Sequence, residues 1–156
     1  MTTATSEPDL LVLDRQLCFA LAVASRSVIG AYKPILEPMG LTHPQYLVML
    51  ALWEKAPRSL SELAAVLRLE PATLSPLIKR LEAAGLVTRE RSADDERQLA
   101  VRLTMDGLAL RDQAEQVPPQ VVQALGVDLD ELTELHTRLT AIIDRIAPLD
   151  ARPQPA

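Results

Sequence analysis

The apolar periodicity of this chain changes once. On either side of "SADDE", the stretch "LVTRERSADDERQLAVRL" alternates every second residue. Val87, Arg89 and Arg91 lie on the way up and Leu99, Val101 and Leu103 on the way down. That is the pattern of a β-hairpin with a polar tip. Just upstream the spacing is helical, in two closely joined segments. In "SLSELAAVLRL", Ser59 and Glu62 have the spacing of a capping box, and Leu60, Leu63, Ala64 and Leu67 form a stripe. In "EPATLSPLIKRLEAAG", Leu74, Leu77, Ile78 and Leu81 stand at i, i+3, i+4 and i+7, with Gly85 placed to stop the helix.

Elsewhere between about Leu10 and Ile146, helical signals dominate. A long segment from about Leu10 to Tyr32 is apolar around most of its circumference between Leu17 and Ala24, which predicts burial on more than one side and contact with another subunit. "KPILEPMG" breaks it with Pro34, Pro38 and Gly40. "THPQYLVMLALWEKA" restarts a helix behind the capping-box pair Thr42 and Gln45. Thr104 caps another, which "VPP" at 117–119 kinks or ends. The last opens at Asp128 and carries Leu132, Leu135, Leu139, Ile142 and Ile146 at heptad spacing, suited either to pairing with another helix or to an ordinary core-facing stripe.

The expected fold is mainly α with a small β-hairpin wing: a winged helix-turn-helix at 41–104, flanked by dimerisation helices at 10–40 and 105–148, with flexible tails at 1–9 and 149–156. One cysteine, Cys18, forbids an intrachain disulfide and suits a reducing cytoplasm. The segment before "LCFALAVAS" is acidic, the wrong sign for an export signal, and no apolar run approaches the ~18 residues of a membrane span.

Net charge is −5, but it is unevenly spread. Residues 68–102 carry seven bases and six acids, whereas 103–156 carry four bases and nine acids, so the middle of the chain can face a polyanion. With Leu74, Leu77, Ile78 and Leu81 inward, the second short helix presents Ala72, Ser75, Pro76, Lys79 and Ala83, flanked by Thr73 and Arg80. The face is slim enough for a major groove, and Lys79 and Arg80 reach phosphates or guanine edges; the alternative is a plain solvated face. In the hairpin, Arg89, Arg91 and Arg97 are the candidate contacts. Asp95 either orients Arg97 for a minor groove or forms a surface ion pair with it.

The order of elements resembles the MarR family of dimeric winged-helix regulators. Within that family, "LDRQLCFALAVASR", "AYKPIL" and "LTHPQYLVMLALWE" resemble the organic hydroperoxide resistance regulators. The resemblance spans about Leu10 to Ile146. It implies a cytoplasmic homodimer that represses a peroxidase gene from an inverted-repeat operator, with no cofactor and no catalytic activity. Cys18 then corresponds to the reactive cysteine and Tyr32 to a tyrosine that hydrogen-bonds it. His43 stands where the family often has a second tyrosine, and Ala22 where it has a third.

Tyr32 lies 14 residues beyond Cys18 on what reads as one helix, ~21 Å along its axis, so only the other subunit's Tyr32 reaches the sulfur. A helix start near Leu10 would leave Cys18 beyond the first turn, with little help from the helix dipole. Without a second cysteine, a sulfenic acid formed by an organic hydroperoxide is capped by a low-molecular-weight thiol. Three rivals compete: a repressor that binds a small aromatic or anionic ligand, with Cys18 as packing; a thiol peroxidase; and a metal sensor, for which Cys18, His43 and His136 are too dispersed.

Overall fold

The structure is a computed structural model and describes residues 9–92 and 97–150. Seven helices and three strands follow in the order α1 (Leu17–Leu36), α2 (His43–Glu54), β1 (Arg58–Ser59), α3 (Leu60–Leu67), α4 (Pro71–Ala83), β2 (Val87–Arg91), β3 (Leu99–Leu103), α5 (Met105–Ala114), α6 (Val117–Leu125) and α7 (Leu129–Asp150). The described chain falls into two compact units, divided between Val117 and Pro118.

The expected capping boxes close in full. Thr42 Oγ1 accepts from the Gln45 amide while the Gln45 side chain accepts from the Thr42 amide, and Ser59 and Glu62 make the same exchange. Each satisfies two amides that a helix start leaves unpaired. Between α3 and α4 the chain turns through Arg68, held in the left-handed region at φ 53°, and the Leu69 amide bonds back to the Ala64 carbonyl. Leu74, Leu77, Ile78 and Leu81 of α4 are buried as the stripe predicted, together with Val48, Met49 and Leu52 of α2, Leu63 of α3, and Val87 and Val101 of the sheet.

The wing is a three-stranded antiparallel sheet in the order β1-β3-β2. Val87 pairs with Leu103 and Arg91 with Leu99, so the hairpin register follows the two-residue alternation. The short strand β1 was not anticipated. Its two residues pair with Val101 and Ala100, and the Arg58 guanidinium donates to the Ala51 and Lys55 carbonyls at 3.0 Å each, tying it to the end of α2. Two paired residues are too few to leave a periodic signal.

Helix α4 ends in a Schellman motif. Gly85 adopts φ 76°, the Leu86 amide donates to the Leu81 carbonyl, and the Gly85 amide donates to the Glu82 carbonyl. The Leu86 carbonyl accepts from the Thr104 amide, and Thr104 Oγ1 donates to the Gly85 carbonyl at 2.6 Å. Gly107, in the first turn of α5, lies directly against this elbow, and its own carbonyl accepts from the Trp53 indole at 2.9 Å.

The first helix departs from expectation at both ends. It begins at Leu17, not near Leu10. Residues 13–15 form a separate 3-10 turn, Gln16 is extended, and the Gln16 side-chain amide donates to the Leu10 and Val12 carbonyls, which holds the preceding segment apart from the helix. At the other end α1 runs through Pro34 to Leu36, because a proline in the last turns removes only one amide donor. The chain then reverses in a 3-10 turn closed by Gly40 at φ 69°.

Leu36 is the one buried residue of α1, so its greasy surface is uncovered in a single chain. Leu17 is 59 % exposed, and Phe19, Leu21, Val23 and Ile29 are also exposed. By length and composition the 23 residues Leu17–Met39 are apolar enough to cross a membrane. Ser25, Arg26 and Ser27 interrupt the apolar run without making the whole helix polar, which corrects the expectation that no run approaches that length. In α7, the heptad positions Leu135, Ile142 and Ile146 are exposed as well.

Candidate functional site

Helix α4 and the wing form the first candidate surface. Thr73, Pro76, Lys79 and Arg80 are exposed on α4, and Ser75 is half-buried. Glu70 caps the helix through backbone geometry alone, and Pro71 occupies its first turn, where no amide donor is needed. Pro76 is tolerated inside α4 because it falls little more than a turn from that start.

On the wing, Arg91 is exposed at the end of β2. Arg97 is also exposed and, with Ser59, Ser61 and Gln98, lines a shallow cleft of about 270 Å³ beside the first turn of α3. Asp95 lies outside the described residues. Arg89 differs from the others, because its guanidinium donates to both carboxylate oxygens of Glu82 on α4, at 3.0 and 3.3 Å. Glu82 belongs to α4 and not to the hairpin, so the charge pattern within the hairpin does not record this contact.

The second candidate site is divided between the ends of α1. Cys18 is exposed and is the second residue of the helix. The sequence expectation put it beyond the first turn; it sits within that turn, where unpaired backbone amides and the helix dipole favour negative charge. Gln16 makes no side-chain cap, so the turn is open to another group.

Tyr32, near the other end of α1, packs against α2. Its ring meets His43 edge-on with centroids 4.9 Å apart and lies 5.9 Å from the ring of Tyr46. The structure therefore brings Tyr32 and His43 together and keeps Cys18 of the same chain apart from them. Tyr46 was not anticipated as a site residue, although its place three residues after His43 puts the two on one face of α2.

Burial raises the pKa of Tyr32, and burial followed by the charge of Tyr32 raises that of Tyr46. Both phenols thus keep their protons at neutral pH and remain hydrogen-bond donors. Burial lowers the pKa of His43, which favours the neutral ring with one N–H over the imidazolium. Beside this cluster a cavity of about 680 Å³ opens between Arg26, Ile29 and Lys33 of α1 and Leu41, His43 and Pro44 at the start of α2.

A family described as Transcriptional regulator SarA/Rot matches residues 30–113. The organic hydroperoxide resistance transcriptional regulator of Bacillus subtilis (strain 168) is 36 % identical over 138 residues, which is 88 % of this chain and 94 % of that protein. The HTH-type transcriptional regulator TtmR of Methylorubrum extorquens (strain PA1) is 41 % identical over 142 residues, 91 % of this chain and 73 % of that one. Among solved structures, overoxidized AbfR bound to DNA superposes with a TM-score of 0.69 at 36 % identity, covering 86 % of this chain and 94 % of that one. Both curated relatives are named as transcriptional regulators, which places this chain in a regulator family and not among thiol peroxidases. The chain belongs to the MarR/SarA family of winged-helix DNA-binding transcriptional regulators.

Proposed function

We propose that this regulator is a cytoplasmic homodimeric repressor of a peroxide-detoxification gene, and that it leaves its inverted-repeat operator after an organic hydroperoxide oxidises Cys18. The observation that carries the reading is the division of the sensor between the two ends of α1. Cys18 occupies one end, the Tyr32–His43–Tyr46 cluster the other, and an uncovered apolar surface runs between them. Antiparallel pairing of two α1 helices covers that surface and sets Cys18 of each subunit against Tyr32 of the partner subunit. The exposed heptad positions of α7 offer a helix-pairing stripe of their own. In this arrangement 10–40 and 105–148 serve dimerisation and 41–104 reads DNA.

In the reaction, the Cys18 thiolate attacks the terminal oxygen of the hydroperoxide and the O–O bond breaks. The sulfur becomes a sulfenic acid, and the alkoxide takes a proton and leaves as alcohol. A low-molecular-weight thiol then displaces the sulfenic oxygen as water and leaves a mixed disulfide. Phenolic donors from Tyr32 hold the attacking sulfur in its charged form. The similarity to a regulator named for organic hydroperoxide resistance supports this chemistry. AbfR has been solved on DNA both reduced and overoxidized. We assign release to the capped form, whose bulk forces the paired helices apart and changes the spacing of the two α4 helices.

The test is mass spectrometry of Cys18 after stoichiometric cumene hydroperoxide, with and without a small thiol, beside a DNA-binding assay on the same sample. The expected result is sulfenic acid with peroxide alone, and loss of DNA together with the mixed disulfide when thiol is added. Cys18→Ser should stay on DNA throughout; its release by peroxide would exclude the mechanism.

On the DNA side, Thr73, Ser75, Pro76, Lys79 and Arg80 of α4 enter the major groove, with Arg91 and Arg97 of the wing contacting the duplex beside it. Lys79→Ala is expected to weaken binding to all duplexes and to lower the slope of log affinity against log salt by about one, the signature of one lost phosphate contact. An unchanged slope would remove Lys79 from the backbone contacts.

The cavity at Arg26, Lys33 and His43 favours a second reading, in which a small aromatic or anionic ligand is the inducer. Release of the Cys18→Ser protein from DNA by an aromatic carboxylate would decide for it.

A further inference from the structure

We infer that Glu82 is a positioning residue for DNA binding: its carboxylate fastens strand β2 of the wing to the end of the recognition helix α4. This rests on the DNA binding of the family and not on the redox reading.

The three contacts converge on one side chain. Glu82 Oε2 accepts from the Arg89 backbone amide at 3.2 Å and from Arg89 Nε at 3.3 Å, while Oε1 accepts from Arg89 Nη2 at 3.0 Å. The pair bridges the elbow formed by the Schellman turn, with Glu82 one turn before Gly85 and Arg89 in the middle of β2. A bidentate guanidinium–carboxylate pair fixes direction as well as distance. With the backbone amide held too, the strand cannot roll about its own axis relative to α4. Hydrogen bonds from the Arg89 side chain hold the Glu82 carboxyl below its ordinary range. The clamp is therefore intact above the usual glutamate range and is lost only as the pH falls through that depressed value.

Arg89 is thereby committed. Its side chain is 27 % exposed and its charge is matched by Glu82, so the clamp gives it a different task from Lys79 and Arg80. The pair is near the surface and adds little to stability. Its effect falls on geometry, because α4 and the wing engage one duplex together and a change of angle at the elbow mismatches them.

The prediction has an unusual sign. Removing an acid from a DNA-facing surface ordinarily tightens binding to a polyanion, whereas loss of the clamp weakens it. The probe is a duplex that the native protein selects from a random pool, compared with a scrambled duplex of equal length. Glu82→Ala and Arg89→Ala are each expected to bind the selected duplex about tenfold more weakly, and the double variant no worse than either alone. Binding to the scrambled duplex, the salt slope and the melting temperature should hardly move. Glu82→Gln, which keeps an acceptor for the backbone amide, should recover part of the loss. Tighter binding of the selected duplex by Glu82→Ala, or a salt slope lowered by about one in Arg89→Ala, would overturn the proposal.

Discussion

Replacing Gly107 with alanine is expected to destabilise the protein by about 3 kcal/mol or more. A Cβ built on Gly107 lies 2.0 Å from the Leu86 carbonyl oxygen and 3.0 Å from its carbon. Both are backbone atoms, and neither is free to yield. The Leu86 amide closes the Schellman turn of α4, and its carbonyl accepts from the Thr104 amide. Gly107 is fixed from its own side as well, through its amide bond to Thr104 Oγ1 and its carbonyl bond to Trp53.

Relief of the clash therefore moves α5 away from the end of α4 and strains the contact of α5 with α2. For a chain of this size, each kcal/mol lowers the melting temperature by about 2–4 °C, so a fall of roughly 6–12 °C is expected. Binding to a selected duplex should weaken as well, because the recognition helix loses its C-terminal support. A melting temperature within about 2 °C of the native value would show that the elbow is less constrained than its geometry states.

Tyr32→Phe is expected to have the second large effect, on rate rather than on stability. A hydrogen bond to a charged group is worth about 1.5–3 kcal/mol. If the Tyr32 phenol sustains the attacking sulfur, its loss slows oxidation of Cys18 by roughly ten- to a hundredfold. Burial keeps the phenol protonated at neutral pH, so it arrives as a donor. The ring packs edge-on against His43, and phenylalanine preserves that contact, which separates the hydroxyl's role from packing.

The DNA-reading half of the molecule was legible because its signals are local. Ser59 with Glu62 and Thr42 with Gln45 announce two helix starts within four residues each. Leu74, Leu77, Ile78 and Leu81 announce the buried face of α4, and Leu99, Val101 and Leu103 the strand β3. The N-terminal helix was legible only in part. Apolar residues from Leu10 onward suggested an early helix start, but Gln16 turns its side chain back on the Leu10 and Val12 carbonyls and delays the helix to Leu17. That delay moves Cys18 into the first turn. The Glu82–Arg89 clamp and the Gly107–Leu86 approach join residues through tertiary geometry, which no periodic pattern records.

The redox reading depends on a sensor assembled from two chains. A heterodimer tests it directly, with Cys18→Ser in one subunit and Tyr32→Phe in the other. The only remaining Cys18 then sits on the chain that lacks Tyr32, and the intact Tyr32 sits on its partner. The account predicts that this Cys18 forms sulfenic acid with cumene hydroperoxide at the native rate, although in the Tyr32→Phe homodimer it reacts slowly. Oxidation of the heterodimer at the slow rate of that homodimer, or a homodimer as fast as the native protein, would contradict it.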